Sequence, residues 1–155
     1  MRSRESGIDG IEQLKLQHEH LLEAFDELEV TVEPEARLRL FAHIGQRLKA
    51  HAAVEEEVFH PGVESAGISA EAVSDAAEAH VVMDVLLDEI LGAEAKPATV
   101  KLLRDVVERH FNEEEEHLFA FVQRLPESVR KALANAIQAY LDEFGDGAED
   151  SLPPP

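Results

Sequence analysis

Apolar residues recur three and four apart along almost the whole chain, a period that suits helices and not strands. It is interrupted at Glu33-Pro34, at Pro61-Gly62 with Gly67, between Gly92 and Pro97, and at Leu125-Pro126. Proline and glycine break helices, so these points mark out helices over about 8–30, 35–60, 69–91, 97–124 and 127–144. Ser69 fits an N-cap with Glu71 in the first turn, and Pro97 fits a first-turn position. With 155 residues the chain is long enough for one domain with a real core. Long helices and short connections predict an all-α fold over residues 1–144, an up-down-up-down antiparallel four-helix bundle with an additional C-terminal helix outside. Residues 145–155, rich in Gly, acid and Pro, are expected to form a disordered tail.

Polar residues interrupt the stripes. The first helix presents Leu14, His18, Leu21, Phe25 and Leu28, and the second Phe41, Ile44, Leu48, His51, Glu55 and Val58. The third gives Val73, Ala77, His80, Asp84, Leu87 and Leu91, and the fourth Leu103, Val107, His110, Glu114, His117 and Phe121. The last helix carries Val129, Leu133, Ala136, Ile137, Tyr140 and Phe144 without His, and reads as structural cover. Each of the four inward His lies about 10–16 residues from the flanking breaks, and at ~1.5 Å per residue their heights agree within about one turn. One slice of the bundle therefore holds four imidazoles.

Composition narrows what that slice can bind. Lys and Arg total 14 and Asp and Glu 33, a formal charge of −19, which repels phosphate backbones and anionic lipid and disfavours nucleic-acid and membrane partners. There is no Cys, so thiolate chemistry and Cys-held metals are excluded, and nitrogen and oxygen must hold any metal. No stretch approaches the roughly 18–20 apolar residues of a membrane span. Met1 to Gly10 lacks an apolar signal core, so a cytoplasmic location is expected. Nothing in the sequence sets an oligomeric state, and a monomer is compatible with it.

Glu55 follows His51 by one turn and Glu114 follows His110 by one turn, so each pair stacks on one helix face and can chelate an ion. With His18 and His80 they make six nitrogen and oxygen donors. That set suits iron, manganese or zinc over calcium or magnesium, and exceeds what one tetrahedral zinc needs. Two metals bridged by two carboxylates fit it. The bland reading is a solvated pair on each helix, but carboxylates buried among leucine stripes without a cation would cost several kcal/mol per unpaired charge. A ferritin-like site needs Glu-x-x-His, which occurs as Glu57 to His60 and Glu114 to His117, yet Glu57 and His60 fall off the stripe. A histidine phosphotransfer domain needs an exposed His, and these four face inward.

His18, His51-Ala-Ala-Val-Glu55-Glu-Glu-Val-Phe59-His60-Pro61, His80 and His110-Phe-Asn-Glu-Glu114-Glu-Glu-His117 together resemble the hemerythrin-like, or HHE cation-binding, family over about Ile8 to Leu125. The resemblance implies a non-haem di-iron centre, oxo- or hydroxo-bridged, with Glu55 and Glu114 bridging and His18, His51, His80 and His110 as terminal ligands. The oxygen carriers of the family have His-x-x-x-His on the third helix, where this chain has Asp84 in the second place. Asp84 is therefore expected to replace that ligand or leave it missing. The carriers' His-x-x-x-x-Asp would point to Glu115, but the inward stripe favours Glu114. His117, one turn beyond, is expected as a core His or an additional ligand; His20 and His43 lie off the stripes; and Glu56, Glu57, Glu113, Glu115 and Glu116 read as a solvated face. The resemblance implies binding or sensing of iron, O2 or related small ligands such as peroxide or nitric oxide. The alternative is an enzyme acting on peroxide, O2 or nitric oxide.

Overall fold

The computed structural model describes residues 9–92 and 96–145. The expected start at Ile8, the stripe position Leu91, the connection across 93–95 and the tail from 146 onward lie outside the residues, or the side chains, so described. The elements in order are α1 (Gly10–Val30), α2 (Pro34–Val54), a π-helical turn π1 (Glu55–Phe59), α3 (His60–Ser65), α4 (Ala70–Gly92), α5 (Pro97–Glu113), a second π-helical turn π2 (Glu114–Phe119), α6 (Ala120–Gln123) and α7 (Glu127–Phe144). Among the described residues there is no strand.

Local chemistry sets the ends. The Asp9 carboxylate accepts from the Glu12 backbone N–H at 2.9 Å, Glu33 from that of Ala36 at 2.8 Å, and the Ser69 hydroxyl from that of Ala72 at 3.2 Å. Each satisfies an amide that the first helical turn leaves without a partner. Arg37 donates from Nη1 to the carbonyls of Leu28 and Thr31 at 2.9 and 3.0 Å, fastening the start of α2 to the end of α1. Pro61 does not end the second helical stretch, which runs on to Ser65. A proline clashes with the carbonyl four residues earlier, and π1, where the His60 N–H reaches back to the Glu55 carbonyl, has already widened the ladder there.

Helix α1 packs along α2 and α5, α4 along α5, and α2 against α4. α7 lies across α1 and π1 at one end. Its approach needs a glycine at one place, where a Cβ on Gly10 would sit 2.4 Å from the Ala134 carbonyl oxygen; a Cβ on Gly62 would meet only the movable end of Leu133, 2.5 Å from Cδ1. The apolar interior is in two parts. One contains Leu21, Phe25, Ile44, Leu48, Leu87, Leu103 and Phe111, the other Leu14, Val54, Phe59, Val63, Phe119, Val122 and Ile137. Between them lie the buried polar side chains Gln17, His18, His51, Glu55, His60, His80, His110 and Glu114.

Candidate metal centre

Glu55 opens π1 and Glu114 opens π2, each four residues after a His in the last turn of the preceding α-helix. The α-helical rise up to these carboxylates keeps His51 with Glu55 and His110 with Glu114 on the inward face. Past them, each π turn inserts about one residue per turn and shifts the face. This explains two departures from the simple stripe. On the second stretch Phe59 and His60 are buried in place of Val58; on the fourth Leu118, Phe119 and Val122 are buried while His117 is exposed. His117 is thus neither a core residue nor part of the donor cluster. Asp84 is exposed as well: α4 buries Val73, Ala76, His80, Met83, Leu87 and Ile90, a phase sharing His80 with the expected stripe but placing Met83 inside and the carboxylate in water.

His18, His51, Glu55 and Glu114 converge in one group and Glu55, His80 and His110 in another, every residue buried. In the first, His18 Nε2 lies 3.1 Å from both His51 Nε2 and Glu114 Oε1, and His51 Nε2 lies 2.9 Å from Glu55 Oε2. In the second, His80 Nε2 lies 3.0 Å from Glu55 Oε1 and 3.2 Å from His110 Nε2, and His110 Nε2 lies 3.7 Å from Glu55 Oε1. The two oxygens of Glu55 thus face different groups. Adjacent donors around an ion with bonds of ~2.1 Å stand roughly 3.0 Å apart in octahedral geometry, close to most of these spacings.

The outer ring nitrogens fix the tautomers. His18 Nδ1 lies 2.7 Å from Glu115 Oε2, His80 Nδ1 2.7 Å from Glu56 Oε2, and His51 Nδ1 2.5 Å from Gln17 Oε1. Oxygens of these kinds accept, so each Nδ1 carries the hydrogen and each Nε2 lone pair is available to the interior. Carboxylate or amide oxygens behind a ligating imidazole are the usual outer support of a metal site. Glu56, on the solvated face as expected, and Glu115, half-buried, thus also back these rings, and the buried Gln17 joins them. Their positions beside Glu55, Glu114 and His18 are the sequence signal that could have found them.

Electrostatics shows what the cluster does without a cation. Burial pulls the His18 pKa down, but hydrogen bonds to Glu114 and Glu115 and the charges of Glu114 and Glu55 outweigh it and hold it at about 9. His80 is likewise opposed by burial and raised to about 9 by Glu55 and Glu56. Burial pushes Glu55 upward, yet the His51 charge and hydrogen bonds to its neighbours bring it well below the carboxylate range. The His18 hydrogen bond lowers Glu115. Protons on His18 and His80 thus stand where a cation would neutralise the carboxylates. They do not satisfy everything: Glu114 Oε2 and His60 Nε2 are buried with no hydrogen-bond partner among the described residues. The donor set fits a transition metal, with imidazole nitrogens, carboxylate oxygens and orphaned atoms aimed inward.

A cleft of about 500 Å³ between α4 and the α5–π2 stretch reaches this layer. His110 and Glu114 line its floor; Glu71, Asp75, Glu113, Glu116, His117 and Arg124 line the rest with apolar neighbours.

An all-helical fold enclosing a buried His and carboxylate cluster defines a cation-binding class of protein. Residues 9–122 match the family model of the hemerythrin HHE cation binding domain, and the chain belongs to that family. Neither a curated protein nor a solved structure gives a match. Among the described residues no helix is long and apolar enough to cross a membrane.

Proposed function

We propose that this chain is a non-haem di-iron protein that binds iron together with O2 or a related small ligand. Its helices form an up-down-up-down antiparallel four-helix bundle over residues 1–144, with α7 as the additional helix; the closed round of contacts α1–α2–α4–α5 supports that topology. His18 and His51 hold one ion, His80 and His110 the other, and Glu55 and Glu114 bridge them. The observation that carries this reading is the division of Glu55, whose Oε1 faces His80 and His110 while its Oε2 faces His51. Two oxygens turned toward two imidazole groups are what a carboxylate shared by two ions needs.

Two iron ions supply redox electrons and open positions for a small molecule. The chain's own work is to hold and shield them. Glu115, Glu56 and Gln17 keep three imidazoles with Nε2 inward, and Phe111, stacked on His18 at 3.9 Å, and Phe119 cover that ring with apolar surface. Such walls keep water from that side of the layer. An enzyme acting on peroxide, O2 or nitric oxide is the alternative, favoured by the cleft with polar lining that reaches Glu114. Iron content and optical spectra before and after O2 or peroxide test both. A stable, reversible spectrum with O2 selects the binding protein, and catalytic O2 evolution from peroxide selects the enzyme. Less than about one metal per chain, unchanged in His51→Ala and His110→Ala, contradicts both.

A further inference from the structure

We propose that His60 is a fifth imidazole donor, completing the shell of the cation held by His80 and His110, while Phe119 leaves the equivalent place beside the other cation without a protein donor. The inference rests on the two-cation reading above.

The chain builds the two halves of the site from one repeated spelling. His51-x-x-x-Glu55-Glu56-Glu57 opens onto π1, and His110-x-x-x-Glu114-Glu115-Glu116 onto π2. In each half the first Glu faces a His Nε2 from another helix and the second Glu faces the Nδ1 of that same ring: Glu55 and Glu56 with His80, Glu114 and Glu115 with His18. The repeat continues to the ninth residue after each leading His, which is His60 in one half and Phe119 in the other. Their rings occupy corresponding places. His60 stacks on His80 with centroids 5.6 Å apart and planes 21° apart; Phe119 stacks on His18 at 5.6 Å and 7°. A ring that only filled space could be Phe in both halves, as Phe119 demonstrates.

His60 instead brings a nitrogen that nothing satisfies. The side chain is 4% exposed and its Nε2 has no hydrogen-bond partner among the described residues. The nearest acidic oxygen is Glu114 Oε2, 3.9 Å away, buried and equally without a partner. That gap is too long for a hydrogen bond. It lies within the ~4.2 Å separating two donors on opposite sides of an ion with bonds of ~2.1 Å. Two orphaned, dehydrated atoms that can each offer a lone pair, at that span, are what a shared cation would join. The donor absent at exposed Asp84 on α4 is thereby supplied from the start of α3.

The test is an anaerobic Co(II) titration of the full chain and of His60→Phe, following the visible d–d bands, whose intensity rises as coordination number falls. His60→Phe copies the ring already accommodated at Phe119, and far-UV circular dichroism of the metal-free proteins checks that it folds. The expected result is one Co(II) equivalent weakened at least about tenfold with more intense bands, the other unaltered. His60→Ala gives a second arm: free imidazole should restore its wild-type spectrum by entering the vacated space. Unchanged affinity and spectrum in His60→Phe, or a His60→Ala spectrum that imidazole does not move, overturns the proposal. Fewer than two Co(II) per wild-type chain contradicts the two-cation reading instead, and the His60 proposal is then decided by the same comparison on the single ion.

Discussion

The half of the site around His80 and His110 and the half around His18 and His51 share a plan and differ in their surroundings. Both have an inward imidazole pair, a bridging-type carboxylate and a second carboxylate behind the outer ring. The His18 half adds the amide of Gln17 behind His51 and two stacked phenylalanines; the His80 half has His60 and opens to the cleft through His110. On the proposed two-cation reading, what is common to the halves is what retaining the cations requires. What differs sets access and reactivity, so the halves should behave alike in metal loading and unlike toward small ligands.

The largest effect should come from the shared parts. Glu55→Ala removes an oxygen from each half and is expected to abolish loading of both ions, measured as metal per chain after desalting; loss of one ion alone would break the shared-carboxylate comparison. Next, Glu56→Gln and Glu115→Gln should each weaken one half, by about 10- to 100-fold in metal affinity, since each leaves a ligating imidazole with a poorer acceptor. Equal weakening of both ions in either variant would show that the halves are not separable.

A smaller and pH-dependent effect follows from His18 and His80. Their folded-state pKa values of about 9 exceed the ordinary 6.5, so the folded metal-free chain binds these protons more tightly than the unfolded chain. The resulting stability is complete below pH 6.5 and is lost as pH rises through about 9. Thermal melts of metal-free protein should fall across that window, and His18→Ala and His80→Ala should each flatten the fall. A melting temperature that rises there would contradict the assignment. The smallest effect is expected for Asp84→His and His117→Ala, both at exposed positions: stability within about 0.5 kcal/mol and unchanged metal content.

The inward placement of His18, His51, Glu55, His80, His110 and Glu114 was legible because regular α-helical counting holds as far as each of them. It failed immediately beyond Glu55 and Glu114, where the π turns bury His60 rather than Val58, and Leu118 rather than His117. Nothing in a stripe of three and four spacings announces an inserted residue. On α4 the ambiguity was of phase: Met83 and Asp84 flank the direction of His80, and the side chain that loses less on dehydration takes the inside. Glu56 and Glu115 read only as a solvated face and Gln17 carried no signal on the stripe, yet a second partner behind each ring must come from such an adjacent position.

The central claim is that one buried layer holds two cations sharing Glu55 and Glu114. Native mass spectrometry of the full chain after anaerobic Fe(II) loading tests it most directly. The account predicts a mass increase of two iron ions per chain, falling to one in His18→Ala and in His80→Ala. A wild-type increase of one iron or none, or two retained in both variants, would contradict it.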